Sequence, residues 1–299
     1  MTISSDKISE YLTPKRLLEK FDDLCSTRPD IRVLPWMLGR CKTLEWLNSL
    51  GVCKEIEFAK LAPPLPPLGL RQIVAAPEPE IFLWTGFVDA FQMLELHYRH
   101  GGIKQPKILD FGCGCGRMTR FLPGSSGSEI NPDHVQWCLQ SLPEVDTRQN
   151  QTLPPLPFAD ASFDLVYSLS ILTHLPEHLA NCWLQDLHRV AKPNALVILT
   201  THGITALETI RDSQAHQQMF KLTAEDAQSI LQRFQTELFI FHQYAEAALT
   251  NAKAGAEYGN AFIHGQYISS CWDNERFHLV EHIPGGLRGW QDIVILRSQ

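Results

Sequence analysis

An apolar run, K-I-L-D-F at residues 107–111, turns directly into G-C-G-C-G-R, so that three alternating glycines follow a single acid, Asp110. No other feature constrains the chain as strongly. Ile108 and Leu109 suit a buried strand, and glycines just beyond a strand let the backbone take positive φ and bring a ligand closer than a Cβ permits. Met118 to Leu122 carry a helical pattern. The loop is therefore expected at a helix N-terminus, where free N–H groups point at a bound group. A dinucleotide loop spaces its glycines G-x-G-x-x-G, and the third would fall at position 117, which is Arg117. The spacing here is G-x-G-x-G, which departs from the dinucleotide loop.

Two later stretches supply polar groups at strand ends, where open α/β sheets bind their ligands. The segment S-S-G-S-E-I-N-P (125–132) ends a second short strand at Glu129, nineteen positions after Asp110. That is close to the roughly 20-residue offset at which an acid accepts ribose hydroxyls. Residues 154–175 read as a turn, a strand from Phe163 to Leu169 and a polar run that ends at His174.

The glycine loop behind Asp110, the run L-P-F-A-D-A-S-F-D-L-V-Y with T-H-L, the helix W-L-Q-D-L-H-R-V-A-K-P (183–193) and the strand A-L-V-I-L-T-T-H-G (195–203) together resemble the core of class I S-adenosylmethionine-dependent methyltransferases of the bacterial small-molecule type. The likeness covers residues 105–205. It implies an α/β fold with a Rossmann-like seven-stranded, mostly parallel sheet and helices on both faces. It also implies S-adenosyl-L-methionine as cofactor and S-adenosyl-L-homocysteine as product. Carried over residue by residue, it places Asp110, Gly112, Gly114 and Ser168 against the cofactor's amino-acid part, Glu129 on its ribose, and Ile130 and Asn150 by its adenine, with Cys113, Gly116 and Arg117 also among the cofactor-binding residues. The chain departs from the family at P-N-A (193–195), where P-G-G is usual, and at Asn150, where the family often has an acid.

A chain of 299 residues, 44% hydrophobic, is enough for one large α/β domain and a cap. No apolar stretch approaches the about 18 residues that a membrane-spanning helix needs, and M-T-I-S-S-D-K lacks the regions of a signal peptide. A cytoplasmic protein with no membrane partner is expected. The eight cysteines form no C-x-x-C pair and read as reduced thiols, with no metal site expected. A formal charge of -7 without a basic block argues against a nucleic-acid partner.

Breaks in pattern divide the chain into a helical cap over residues 1–100 and a catalytic domain over 101–299 that carries a lid insertion at about 204–265. The cap's first helices span residues 5–60 and end at A-P-P-L-P-P-L-G. Its last helix, Ile81 to His100, offers Phe82, Leu83, Phe87, Phe91 and Leu94 as a face for the sheet. After the core, strands are expected at Leu238 to His242, Gln266 to Cys271, Phe277 to Ile283 and Gln291 to Arg297, with the last hairpin antiparallel.

The sulfonium of such a cofactor is already activated, so alignment with the acceptor does most of the work, and a base is needed only for an acceptor proton of high pKa. His174 is the leading base, with His264 and Tyr267 as secondary catalytic groups and His202 at the next strand end. The acceptor is expected to be a small molecule methylated on oxygen or nitrogen. Two other classes stay open: a non-catalytic module that binds an adenosyl ligand, and a nucleotide-dependent oxidoreductase, which Arg117 disfavours.

Overall fold

A computed structural model describes residues 64–122, 124–244 and 257–299. The helices expected over residues 5–60 lie outside the described residues. Two helices precede the sheet: α1 (Leu68–Ile73) and α2 (Pro79–Arg99), the second starting on a proline whose missing N–H costs a helix nothing in its first turn. The core then runs β1 (Ile108–Phe111), β2 (Ser126–Glu129), α3 (Pro132–Ser141), β3 (Asp146–Gln149), β4 (Phe163–Ser168), α4 (Glu177–Val190) and β5 (Ala191–Thr201). Three helices follow, α5 (Ile204–Asp212), α6 (Gln214–Phe220) and α7 (Ala224–Arg233), and then β6 (Phe239–Gln243), β7 (Gly259–Ile263), β8 (Phe277–Leu287) and β9 (Gln291–Ser298).

Seven strands form one sheet in the order β3-β2-β1-β4-β5-β9-β8. The first five are parallel and the β8–β9 hairpin is antiparallel, as the sequence predicts. β1 pairs on one side with β2 and on the other with β4. The chain thus moves outward from β1 in one direction and returns to build in the other, which opens a crevice beyond the carboxyl ends of β1 and β4. The glycine loop starts at that end of β1.

Alternation along the strands fills two cores. Leu196, Ile198, Ile293 and Ile295 point to one face with Leu165 and Tyr167, where α2 lays down Phe82, Phe87, Phe91 and Met93. Val197, Leu199, Val294 and Leu296 point to the other, against Trp183, Leu187 and Trp272. At about 1.5 to 3 kcal/mol for each large apolar side chain fully buried, these two layers supply most of the drive to fold. Asn194, in the P-N-A departure, sits at φ 66°. Asparagine tolerates this left-handed conformation, so it does the work of the family's glycine.

Two local expectations are corrected. Met118 to Leu122 form a single 3₁₀ turn, Thr119–Phe121, in place of a helix. The six residues between Gly116 and Pro123 are too few to repay helix nucleation. Gln266 to Cys271 are helical, with Gly265–Tyr267 running into a π turn at Ile268–Trp272. Tyr267, Ile268 and Trp272 are the buried residues there, a helical spacing and not an alternating one. β7 pairs antiparallel with β6 in a separate two-stranded sheet. Together with α5 to α7, this hairpin has its own core, built on Leu207, Ile210, Phe220, Ile230 and Phe262.

Candidate active site

Positive φ at Gly112 (85°) and Gly114 (55°) makes the turn beyond β1 a glycine conformation. Space demands it as well: a Cβ at Gly112 would lie 2.3 Å from Ile171 Cδ1, and one at Gly114 2.7 Å from Val74 Cγ1. The N–H groups of Gly112 and Cys113 both donate to the Ser128 carbonyl, at 2.9 and 3.0 Å, which ties the loop to β2. The next N–H, of Gly114, donates to Glu129 Oε2 at 2.8 Å, while Oε1 accepts from Asn131 N–H at 2.8 Å. Glu129 is buried, so these two bonds hold a desolvated acid at the edge of the loop. A carboxylate offers about four lone-pair sites, and about two stay open to further donors.

Asp110, at the end of β1, is buried beside this acid, and the Tyr167 hydroxyl donates to its Oδ2 at 3.0 Å. Burial pushes its carboxyl up to about 7, only partly opposed by the Tyr167 bond and the charge of Arg117, while the charge of Glu129 adds to the rise. Ser168 is used structurally: its hydroxyl donates to the Phe111 carbonyl at 2.9 Å and joins the ends of β4 and β1. Asn150 accepts from the Ser128 hydroxyl at 2.9 Å and donates to the Gln151 carbonyl at 2.8 Å. Ile130 is half-buried next to Glu129. Cys113 lies against β2, where a Cβ on Gly127 would come within 2.8 Å of its sulfur. A Cβ on Gly116, at φ 77°, would meet Leu142 Cδ1 at 2.2 Å. Arg117 sends its guanidinium to Asp89 on α2.

On the other side of the crevice, the polar run after β4 meets the β6–β7 hairpin. His174 Nδ1 is 2.7 Å from the Gly259 carbonyl, and its ring stacks on Tyr258 at 4.7 Å with a 22° tilt. His202 and Tyr244 each lie with ring centroids 6.2 Å from it. A carbonyl only accepts, so Nδ1 carries the proton and Nε2 keeps its lone pair. Burial holds His174 below the usual imidazole range. Burial raises the Tyr258 phenol, and the charges of Tyr244 and Glu129 add to this, which sets Tyr258 within electrostatic reach of Glu129.

His264 and Tyr267 lie elsewhere. His264 Nδ1 accepts from Gln266 N–H at 3.0 Å, and its ring packs on Phe234. It follows the last residue of β7, whereas His174 is bonded at the first. At about 3.3 Å per residue, the five-residue strand puts about 16 Å between these ends. Tyr267 donates to Glu177 at 2.7 Å and accepts from Asn181 at 3.0 Å, both on α4.

Residues 109–199 match the family model described as a methyltransferase domain. Over these residues the chain carries a methyltransferase domain. Tocopherol O-methyltransferase, chloroplastic, of Arabidopsis thaliana is 29% identical over 127 residues, which is 37% of this chain and 36% of that one. Malonyl-(acyl-carrier protein) O-methyltransferase of Pseudescherichia vulneris is 30% identical over 142 residues, 40% of this chain and 51% of that one. The chain spans between 33% and 51% of the length of these curated relatives and of the rice tocopherol enzyme. Among solved structures, the magnesium protoporphyrin IX methyltransferase of Synechocystis PCC 6803 with bound S-adenosylhomocysteine covers 77% of this chain and 93% of its own, at 14% identity and a TM-score of 0.49.

The crevice therefore presents two kinds of group. Glu129 has acceptor capacity left for hydroxyls. Asp110 is a buried acid whose ionisation a cationic ligand would favour. Sequence reading missed Tyr244 and Asn260 altogether. The Tyr244 hydroxyl donates to Asn260 Oδ1 at 2.7 Å, and buried Asn260 donates to the Phe220 carbonyl at 2.9 Å. No local motif marks them, because only the β6–β7 pairing brings them together. Among the described residues no group of three or more metal-ligating side chains is present, and no helix is long and apolar enough to cross a membrane.

Proposed function

We propose that this protein transfers a methyl group from S-adenosylmethionine to an oxygen or nitrogen of a small-molecule acceptor. The observation that carries the reading is the Gly114 to Glu129 bond, since it holds a hydroxyl-accepting acid against the glycine loop at the switch point of the sheet. In this reading Glu129 takes the ribose hydroxyls, and Asp110 with Gly112, Gly114 and the end of β4 at Ser168 takes the amino-acid part. Ile130 and Asn150 border the adenine. When bound, the cofactor supplies an activated methyl group. The chain's own part is to align the acceptor, exclude water and remove a proton where the acceptor has one to lose.

His174 suits that last task. Its Nδ1–H is committed to Gly259, its Nε2 holds a lone pair, and its lowered pKa keeps it neutral and ready to accept a proton near pH 7. The rings of Tyr258, Tyr244 and His202 around it favour a partly apolar acceptor. The names of the tocopherol and malonyl-carrier relatives favour oxygen as the methylated atom. The net charge of -7 and the free thiols Cys113, Cys115, Cys138, Cys182 and Cys271 support a cytoplasmic setting without a nucleic-acid partner.

Calorimetry with S-adenosylhomocysteine tests the cofactor, with NAD and NADP as controls. The expected result is binding of S-adenosylhomocysteine alone, weakened at least tenfold in Glu129→Ala. Unchanged affinity in that variant would remove the ribose assignment. Transfer of labelled methyl to a panel of phenols, carboxylic acids and amines then separates an enzyme from a binding module.

A further inference from the structure

We propose that Asp89, on α2, is a positioning residue for the cofactor loop, acting through Arg117; the inference rests on the cofactor reading above. Asp89 is fully buried, 10 residues into α2 and outside every motif of the methyltransferase core. Its Oδ2 accepts from Arg117 Nη1 at 2.6 Å, and Arg117 is the residue that follows the third loop glycine. Its Oδ1 accepts from Arg288 Nε at 3.1 Å, and the second Arg288 nitrogen bonds Oδ2. Arg288 lies between β8 and β9.

A buried carboxylate is costly unless it is paired, and removing one partner of such a group costs far more than the pair contributes at a surface. Asp89 therefore acts as a rigid anchor for whatever it binds. The backbone is braced at the same point. Gly86 lies one helical turn before Asp89 on the same face, and a Cβ there would come 2.1 Å from the Arg117 carbonyl oxygen. Helix and loop touch main chain to main chain at Gly86, and Asp89 holds the Arg117 side chain across that contact. The loop's far end is thereby fixed to α2, just as its near end is fixed to β2 through the Ser128 carbonyl. Arg288 is the second arm of the anchor and reaches the hairpin instead of the loop. The two arms can be cut separately.

The test compares Asp89→Asn, Arg117→Met, Arg117→Lys and Arg288→Met in the full chain, by calorimetry with S-adenosylhomocysteine, thermal melting and hydrogen exchange of residues 112–117 without ligand. Asp89→Asn and Arg117→Met should each raise Kd at least tenfold and speed exchange in the loop. Arg117→Lys, which keeps a charge for Asp89, should restore Kd to within about threefold of the starting protein. Arg288→Met should lower the melting temperature yet leave Kd within twofold. If Arg117→Met weakens binding while a folded Asp89→Asn does not, Arg117 touches the cofactor directly and the proposal fails. It fails equally if Arg288→Met weakens binding as much as Arg117→Met. Should Asp89→Asn not fold, loop exchange decides: faster in Arg117→Met alone supports the anchor, and equal rates in all variants refute it. Absence of binding in the unsubstituted protein would overturn the cofactor reading, while the exchange comparison would still judge the anchor.

Discussion

Asp110→Asn should remove a loss of stability that the protein otherwise suffers as the pH rises. The carboxyl sits at about 7 in the folded protein against an ordinary 3.8, chiefly because it is buried. Below pH 3.8 the proton is bound in both states and Asp110 costs nothing electrostatically. Between 3.8 and 7 the unfolded chain gives up its proton while the folded one keeps it, so raising the pH favours unfolding. Above 7 both states are ionised and the loss is complete. A difference of about 3 pH units, at 1.36 kcal/mol each, makes this about 4 kcal/mol. Asparagine keeps the shape and an oxygen to accept from Tyr167 but has no proton to lose. Urea unfolding followed by tryptophan fluorescence at pH 4.5, 6 and 7.5 should show the starting protein losing stability across this window relative to Asp110→Asn. The variant should be the more stable of the two at pH 7.5. S-adenosylmethionine, with its ammonium and sulfonium, should oppose the effect by favouring the ionised acid, so its affinity should rise with pH through 7 in the starting protein and stay flat in the variant. Parallel stability profiles for the two proteins would refute the reasoning.

Gly114→Val should abolish binding of S-adenosylhomocysteine, and it should also destabilise the fold by about 1 to 3 kcal/mol, because a side chain at φ 55° is strained and its Cβ would meet Val74. Calorimetry and urea unfolding check both halves, and normal binding would show that the loop is not the ligand site. His174→Ala should lower turnover by about 10² to 10⁴ with cofactor affinity near that of the starting protein. A small loss of rate with a large loss of stability would make His174 structural. Binding of S-adenosylhomocysteine should slow hydrogen exchange in residues 257–265, which carry Tyr258 and the His174 contact at Gly259. Equal exchange with and without ligand would count against a lid in that segment.

The parts of this protein that short-range rules govern could be read from the chain alone. The alternation of Ala195 to Thr201 fixes which of its side chains reach which core, because a strand's period is two whatever lies next to it. The glycine spacing and the offset to Glu129 are legible for a similar reason: a strand, a tight turn, a return and a second parallel strand leave little freedom in length, and the two come together at 2.8 Å. Where a segment was short and mixed in composition, the local signal failed. Aromatic and β-branched residues at Gln266 to Cys271 suggest a strand, yet burying Tyr267, Ile268 and Trp272 together requires a helical turn.

Contacts between distant residues were decided only by tertiary structure. From the sequence, His264 and Tyr267 stand beside His174 as secondary catalytic groups, but the β6–β7 pairing presents Gly259 and Tyr258 to His174 and carries His264 to the opposite end of the strand. Asp89 meets Arg117 across 28 positions and Arg288 across 199. No pattern in the chain signals those bonds, because a buried charge takes its partners from whichever elements the packed core places beside it. Periodicity and spacing determined the strands, the loop and the acids that flank it. Chain packing determined which of the remaining polar groups stand close enough to act on them.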